Sequence, residues 1–171
     1  MNYITIENDL EDLNTNEYNE NVKEYKNTDL EDKYIRENPQ EAYLIKQIIQ
    51  IANNVFQILD KGFVESIYHK AMLVDLYKLN YTIETKKIIP IEYNSVNVGY
   101  VESDIIVYDK INNIIIIIEL KSQEKDLNYK EVLQVQKYMR NISSKSIGLV
   151  INFPQKLNSN LIVQSKLIYE L

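Results

Sequence analysis

The chain has no cysteine and only one histidine, which narrows the chemistry open to it. Without cysteine it can form neither a disulfide framework nor a thiolate metal site. The N-terminus lacks the basic and then apolar order of a secretory signal. The longest apolar run, residues 114–118, is far too short to span a bilayer. We therefore expect an intracellular protein with no membrane partner, and nucleus, cytoplasm and virus particle all stay open.

Length and charge together predict one domain preceded by an acidic arm. A chain of 171 residues with 45% hydrophobic content can bury one sizeable core, and a second domain would not fit. Residues 1–38 hold 11 acidic and 4 basic side chains, whereas residues 39–171 hold 14 acidic and 15 basic ones. The net charge of -6 therefore resides in the arm, and the domain is close to neutral.

Helical periodicity predicts three helices after the arm. The first carries apolar residues from 42 to 59 and should end near Gly62, where glycine supplies a cap. The second starts after Gly62 and runs to about residue 80. Its apolar residues are Ile67, Ala71, Leu73, Val74 and Leu76. The third helix covers residues 129–141.

Strand periodicity fills the space between these helices. Residues 82–93 and 96–108 form a hairpin across the turn at Asn94-Ser95. Residues 114–121 begin with five consecutive isoleucines, which predict a strand buried on both faces. Residues 147–153 give another buried strand, and residues 161–171 fit a strand or a helix equally well. Helices and strands that alternate in this way predict an α/β fold.

Charged side chains stand where the buried strands end, which is where open α/β sheets place their sites. Glu119 and Lys121 alternate onto one side of the sheet at the carboxyl end of the isoleucine strand. Asp104 interrupts the apolar second arm of the hairpin, and a buried charge there needs a lysine or a metal ion beside it. Asp104 and Glu119 can lie on adjacent antiparallel strands and share a divalent ion. A solvent-facing ion pair is the alternative for Glu119 and Lys121.

Four helix residues have both a functional and a purely structural interpretation. Glu65 lies in the first turn of the second helix, where it either faces the site as a ligand or interacts only with the helix dipole. Gln134 and Tyr138 lie one turn apart on the third helix, either at the site or on an ordinary polar flank. His69 has no evident partner, which favours a surface position.

Six separated sequence elements carry a resemblance to a known family. They are Gly62-Phe-Val-Glu65-Ser-Ile-Tyr68, Ile89-Pro-Ile-Glu-Tyr93 before Val98-Gly-Tyr100, Asp104, Glu119-Leu-Lys121, Gln134 with Tyr138, and Gly148-Leu-Val-Ile-Asn-Phe153. Over residues 45–153 the chain resembles the GxxExxY protein family of the PD-(D/E)xK nuclease-like superfamily. The resemblance implies a restriction-endonuclease-like core at residues 39–171, in which a central mixed β-sheet is flanked by helices.

The resemblance also implies a site and a chemistry. The implied catalytic residues are Glu65, Asp104, Glu119, Lys121 and Gln134. The three carboxylates would be the metal ligands, because their oxygens suit Mg²⁺ or Mn²⁺. Lys121 would orient or deprotonate the attacking water, and Gln134 would hold that water or Lys121 in place. Tyr68 and Tyr138 would pack against the ligands or support them from outside.

Two function classes follow from this resemblance. The first is a metal-dependent nuclease that hydrolyses phosphodiester bonds, with DNA favoured over RNA. The second is a nuclease-fold protein that binds nucleic acid or serves as a structural component of an assembly, without cleavage. The unsubstituted constellation favours the first class, whereas the acidic arm and the weakly basic domain suit the second. Glu102 stands where the family pattern has a basic residue and Glu131 where it has histidine, which weakens the case for phosphate binding.

The acidic arm, residues 1–38, has few apolar residues and many Asn and Glu, a composition typical of disorder. Two hypotheses give it a role. It either covers the phosphate-binding face of the domain as a mimic of a polyanion, or it docks on a partner. In the second case the arm would support a homo-oligomer or a larger assembly.

Overall fold

A six-stranded sheet in the order β1-β6-β5-β4-β3-β2 forms the centre of the protein. The computed structural model describes residues 3–7, 34, 36–142, 145–157 and 160–170. The strands are β1 (Tyr3–Glu7), β2 (Thr82–Tyr93), β3 (Val96–Asp109), β4 (Ile114–Lys121), β5 (Ile147–Asn152) and β6 (Gln164–Glu170). Neighbouring strands are antiparallel except β4 and β5, which are parallel. The predicted mixed sheet is confirmed, and the undecided C-terminal segment is a strand.

Helices cover both faces of this sheet. They are α1 (Pro39–Leu59), α2 (Glu65–Leu76) and α3 (Tyr129–Asn141). Helices α1 and α2 pack on one face, where Ile116 and Ile118 of β4 join their core cluster. Helix α3 packs on the other face with Ile117. The isoleucine strand is therefore buried on both sides, as predicted, and each helix layer excludes water from one face of it.

The first two helices differ from the predictions in their details. Asp60, with a φ of 60°, ends α1 by donating its backbone N–H to Phe56 O, and Gly62, with a φ of 95°, serves the turn that follows. Helix α2 ends at Leu76, and its buried residues are Tyr68, His69, Met72 and Leu76. The predicted apolar face was wrong in part, because the side chains of Ile67 and Val74 are exposed. Apolar residues surround this helix, so periodicity alone could not choose the face.

Halfway along the β2–β3 hairpin, its two faces exchange sides of the sheet. Ile83 and its partner Val107 pack with the cluster under α1 and α2, whereas Ile89 and its partner Val101 pack with the cluster under α3. Six residues separate each pair of positions along the strand, so a regular strand would direct them to the same face. Lys86 lies between them with a φ of 51°, a left-handed conformation that is rare in a strand. The outer half of the hairpin consequently lies over α3.

Helix α3 begins with a capping box that accounts for Glu131. Asn128 Oδ1 accepts a hydrogen bond from Lys130 N at 2.8 Å, and Asn128 N donates to Glu131 Oε2 at 2.9 Å. These bonds satisfy backbone groups that the first turn of a helix leaves unpaired. The acidic residue that departs from the family pattern therefore stabilises the start of α3.

The predicted arm lies mostly outside the described residues, but both of its ends are attached to the sheet. Strand β1 pairs with β6, so this part of the arm belongs to the sheet. Near the other end, the ring of Tyr34 stacks on Tyr169 of β6 with centroids 3.9 Å apart. Among the described residues, every helix is too short or too polar to cross a membrane.

Gly148 allows α3 to approach β5 closely. A Cβ at this position would lie 2.9 Å from Met139 Sδ and closer still to Val135 Cγ1. We expect Gly148→Ala to lower the free energy of unfolding by about 1–3 kcal/mol, because the added methyl group overpacks this contact. Urea unfolding would measure the change. Gly99→Ala is the matched control, since a Cβ there meets nothing within 4 Å; equal stability loss in both variants would contradict the close packing.

Candidate active site

Two buried carboxylates lie side by side where β3 and β4 meet. Ile105 pairs with Ile118, so Asp104 and Glu119 follow as neighbours on the two antiparallel strands. Their exposed fractions are 5% and 4%. Asp104 Oδ2 accepts a hydrogen bond from Leu120 N at 2.8 Å, which ties the aspartate to the backbone of β4. The predicted proximity of Asp104 and Glu119 is confirmed.

Each carboxylate is paired with a lysine ammonium. Lys86 Nζ lies 2.5 Å from Asp104 Oδ1 and 3.6 Å from Glu102. Lys121 Nζ lies 2.5 Å from Glu119 Oε1, so the predicted strand-end pair exists, but it is mostly buried rather than solvent-facing. Buried charges need such partners, because desolvation alone would destabilise the fold.

Helix α3 supports Glu119 through Gln134. Gln134 Nε2 donates to Glu119 Oε1 at 2.7 Å and to the Tyr138 hydroxyl at 2.6 Å. Burial raises the pKa of Tyr138, and the nearby carboxylates of Glu119 and Asp104 raise it further. Tyr138 therefore stays neutral and anchors the Gln134 amide, which in turn orients Glu119. Gln134 and Tyr138 lie at the site, and the polar-flank alternative does not apply.

The second oxygen of Glu119 has no hydrogen-bond partner. Its Oε2 atom is buried among side chains that offer it no donor. Burial and the charge of Asp104 together raise the pKa of Glu119 to about 7, although Lys121 opposes the rise. A buried oxygen without a donor is unfavourable. This atom marks the place where a cation or a proton would be stabilised.

Glu65 and His69 reach the same region from α2. They are four residues apart and so share a helix face. Burial raises the pKa of Glu65, Lys121 lowers it and Asp104 raises it again, so both charges act on this carboxylate. The predicted surface position of His69 is wrong, because its ring is buried and Nε2 lies 3.2 Å from Asp104 O and 3.1 Å from Thr85 Oγ1.

The complete ligand set of three carboxylates is not assembled. Within the described ranges, no group of three His, Cys, Asp or Glu side chains is arranged to hold a metal ion. Asp104 and Glu119 adjoin, whereas Glu65 is linked to them by its electrostatic effect rather than by a described contact. The shared role of the three carboxylates as ligands stays a prediction.

Tyr68 packs in the core instead of supporting the carboxylates. Its ring stacks on Phe153 with centroids 4.4 Å apart. Its hydroxyl donates to Asp60 O at 2.7 Å and lies 3.3 Å from Gln155 Nε2. Tyr68 thereby fixes the turn between α1 and α2, which directly precedes Glu65.

Comparison with known proteins agrees with this geometry. A family model described as the PD-(D/E)XK nuclease superfamily matches residues 42–170. The chain belongs to this superfamily. Glu119-Leu120-Lys121 matches the letters (D/E)XK of the superfamily name, whereas the assignment of Ser103-Asp104 to its letters PD stays a prediction. The closer resemblance to GxxExxY proteins stays a prediction.

Two solved structures that match the chain are both of low identity and low TM-score. The crystal structure of SSO0001 is 23% identical, with a TM-score of 0.43, over 62% of this chain and 51% of that one. The chain thus spans about half the length of SSO0001. Hjc from Archaeoglobus fulgidus, a Holliday junction resolvase, is 16% identical, with a TM-score of 0.35, over 60% of this chain and 81% of that one. No curated protein matches.

The sequence analysis did not predict two residues that lie beside Asp104, which are Lys86 and His69. His69 could have been found, because it lies one helical turn after Glu65 and shares its face. Lys86 could not be found from the hairpin turn alone. The turn at Asn94-Ser95 pairs Glu92 with Asn97, but the register then shifts by one residue at Ile91. Only after this shift does Lys86 lie opposite Asp104.

The raised pKa of Glu119 predicts how stability depends on pH. In a metal-free buffer the folded state favours the protonated carboxyl. The protonated carboxyl of Glu119 therefore contributes fully to the free energy of unfolding below its ordinary pKa of 4.5, and this contribution is lost as pH rises through about 7. Glu119→Gln lacks this ionisation. As pH rises between these values, the unfolding free energy of the variant should therefore increase relative to that of the wild type, by about 3 kcal/mol in total.

Urea unfolding at a series of pH values with a chelator present would measure this difference. Glu124→Gln, at an exposed position just beyond the site, is the matched control and should follow the wild-type curve. Parallel curves for Glu119→Gln and wild type would contradict the raised pKa.

Proposed function

We propose that this chain is a divalent-metal-dependent nuclease that hydrolyses phosphodiester bonds, with DNA as its substrate. Membership of the nuclease superfamily supports the reaction class. The observation that carries the metal dependence is the buried Glu119 Oε2, which has no donor although Asp104 lies beside it. A divalent cation would neutralise both carboxylates and supply the partner that this oxygen lacks.

The donor atoms suit a hard cation. Asp104 and Glu119 offer carboxylate oxygens, and Glu65 is the predicted third ligand. Oxygen ligands of this kind favour Mg²⁺ or Mn²⁺ over softer metals. When bound, such an ion would polarise a phosphate oxygen and lower the pKa of a coordinated water. Because Lys86 holds Asp104 Oδ1, its ammonium would have to move aside for an ion that used this oxygen.

Lys121 is better suited to donate hydrogen bonds than to accept a proton. Although burial lowers its pKa, the hydrogen bond to Glu119 and the surrounding carboxylates outweigh burial, so the pKa is raised. The ammonium therefore stays charged at neutral pH. It can donate to a non-bridging phosphate oxygen and neutralise charge that develops during hydrolysis. This favours the orienting role of Lys121 over its role as a base.

Gln134 and Tyr138 keep Glu119 in one orientation. The Gln134 amide uses one N–H on Glu119 Oε1 and is itself fixed by the Tyr138 hydroxyl. With Oε1 occupied by Gln134 and Lys121, only Oε2 is left for a ligand. A carboxylate that is held in this way presents a defined oxygen, which reduces the reorganisation needed during the reaction.

A cleavage assay tests the proposed activity. The wild type should cut labelled DNA with Mg²⁺ or Mn²⁺ and lose this activity in a chelator. Lys121→Met should lower the rate by about 10²–10⁴-fold, because a positioned charge and donor are lost. Lys110→Met is the matched control, since Lys110 is exposed in the turn at the opposite end of β4. RNA of the same sequence tests substrate choice.

Three outcomes would count against this proposal. Equal rates for Lys121→Met and Lys110→Met would remove Lys121 from the reaction. Cleavage that persists in a chelator would remove the metal. Binding of nucleic acid without cleavage under any ionic condition would favour the alternative of a nuclease-fold binding or assembly component.

Metal binding should stabilise the fold. An ion that binds only the folded state raises the free energy of unfolding by about 2.7 kcal/mol at 100 times its dissociation constant. We expect Mn²⁺ or Mg²⁺ to raise the melting temperature, and Asp104→Asn to reduce the shift. Asp75→Asn, at a half-buried position near the end of α2 where the carboxylate pairs with Lys78, should shift as the wild type does. Isothermal titration with no heat at millimolar ion concentration would contradict the metal site.

A further inference from the structure

A cavity of about 650 Å³ lies beside Gln134 and Tyr138, the residues that orient Glu119. It lies between α3 and the outer half of the β2–β3 hairpin. Its lining residues are Val101, Glu102, Tyr129, Lys130, Leu133, Gln134, Lys137 and Tyr138. Gln134 belongs both to this lining and to the hydrogen bonds of Glu119, so one side chain links the cavity to the site. A substrate at the site would therefore have this space beside it.

One side of the cavity is aromatic and aliphatic. Tyr129, the first residue of α3, is 65% exposed although it is a large ring. Leu133 lies one turn further along the same helix face, and Val101 closes the wall from the hairpin. An exposed ring beside apolar side chains is the arrangement that proteins use to stack unpaired bases. The volume lies within the range of roughly 300–1,000 Å³ that is usual for ligand sites.

The other feature of the cavity is positive charge along α3. Lys130 and Lys137 are two turns apart, or about 10 Å along the helix axis. Both side chains are exposed, and in the part of the chain that the structure describes neither forms an ion pair. The one acidic residue of the lining, Glu102, lies 3.6 Å from Lys86, an ammonium that it shares with Asp104, so the two lysines of the lining outnumber it. The cavity therefore offers cations for a phosphate backbone next to a ring for a base.

We propose that this cavity binds an unpaired nucleotide beside the phosphodiester held at Asp104 and Glu119, with Tyr129 stacking on the base and Lys130 and Lys137 contacting the flanking phosphates. The inference rests on the proposed nuclease function and specifies its substrate as single-stranded or locally unpaired nucleic acid. A base inside a duplex cannot enter, because it would first have to leave the stack and break its pairing. A single strand enters without that penalty.

Binding measured without cleavage tests this inference. Fluorescence anisotropy in a chelator would compare a labelled oligothymidylate of roughly 12 nucleotides, a length within the usual site sizes, with a blunt duplex of equal length. The single strand should bind more tightly. Tyr129→Ala should weaken single-strand binding about 5- to 150-fold, the range that loss of one stacked base gives, and leave duplex binding unchanged.

Two further variants separate stacking from charge and from folding. Tyr129→Phe keeps the ring and should bind as the wild type does. Tyr77→Ala removes an equally exposed ring, 59% accessible, from the end of α2 on the opposite face of the sheet, and should have no effect. The double variant Lys130→Ala with Lys137→Ala should reduce the slope of log affinity against log salt by up to about 2 × 0.7, the single-strand value for two phosphate contacts.

The outcomes distinguish this inference from the proposed function. Equal binding of single strand and duplex, or equal effects of Tyr129→Ala and Tyr77→Ala, would overturn the base site while leaving cleavage intact. Binding that depends on Tyr129 in a protein that cuts nothing would support the base site and overturn the nuclease. A stacked 2-aminopurine base at the bound position should lose fluorescence on binding; unchanged fluorescence would also overturn the stacking contact.

Discussion

The close approach of two buried carboxylates is the constraint on which the rest of the site depends. Asp104 and Glu119 repel each other on adjacent strands, and little water reaches either of them. The fold compensates for this repulsion and desolvation in two ways. Each carboxylate has a lysine ammonium beside it, and each accepts a further hydrogen bond, Asp104 from a backbone N–H and Glu119 from a side-chain amide. Lys86 reaches Asp104 from a left-handed backbone conformation, which costs about 1–3 kcal/mol in general.

The elements and the central acids could be predicted because their signals are local. Five isoleucines in succession predict a buried strand, and an acid at its end predicts a polar site, whatever the rest of the chain does. The partner of Asp104 depends instead on a register. One shifted residue near Ile91 decides whether Lys86 lies opposite Asp104 or opposite Ser103, and no pattern in the sequence marks that shift. The face of α2 was misjudged for a related reason, because Tyr68 and His69 are amphipathic and become buried only when tertiary contacts satisfy their polar atoms.

Helix α3 both packs against the sheet and supplies a residue of the site. Its inner face approaches β5 at Gly148 more closely than any side chain there would permit. This fixes how deep the helix sits, and therefore how far Gln134 reaches toward Glu119. The same helix presents Tyr129 and Lys130 outward at its capped first turn. Gly148 under the helix and Gln134 on its flank thus both determine how Glu119 is held above the sheet.

The pairing of β1 with β6 has a consequence for the order of folding. These strands bring together Tyr3 and Glu170, so nearly the whole chain forms the loop between them. Loop-closure entropy rises only with the logarithm of length, so a loop eight times longer than a hairpin-sized one costs about 2 kcal/mol more. The backbone hydrogen bonds of β1 to β6 must compensate for that loss, because among the described strands β1 has no second neighbour. We expect this edge to form last and to exchange its amide hydrogens first, while β3 and β4, on the far side of β5, keep Asp104 and Glu119 in register.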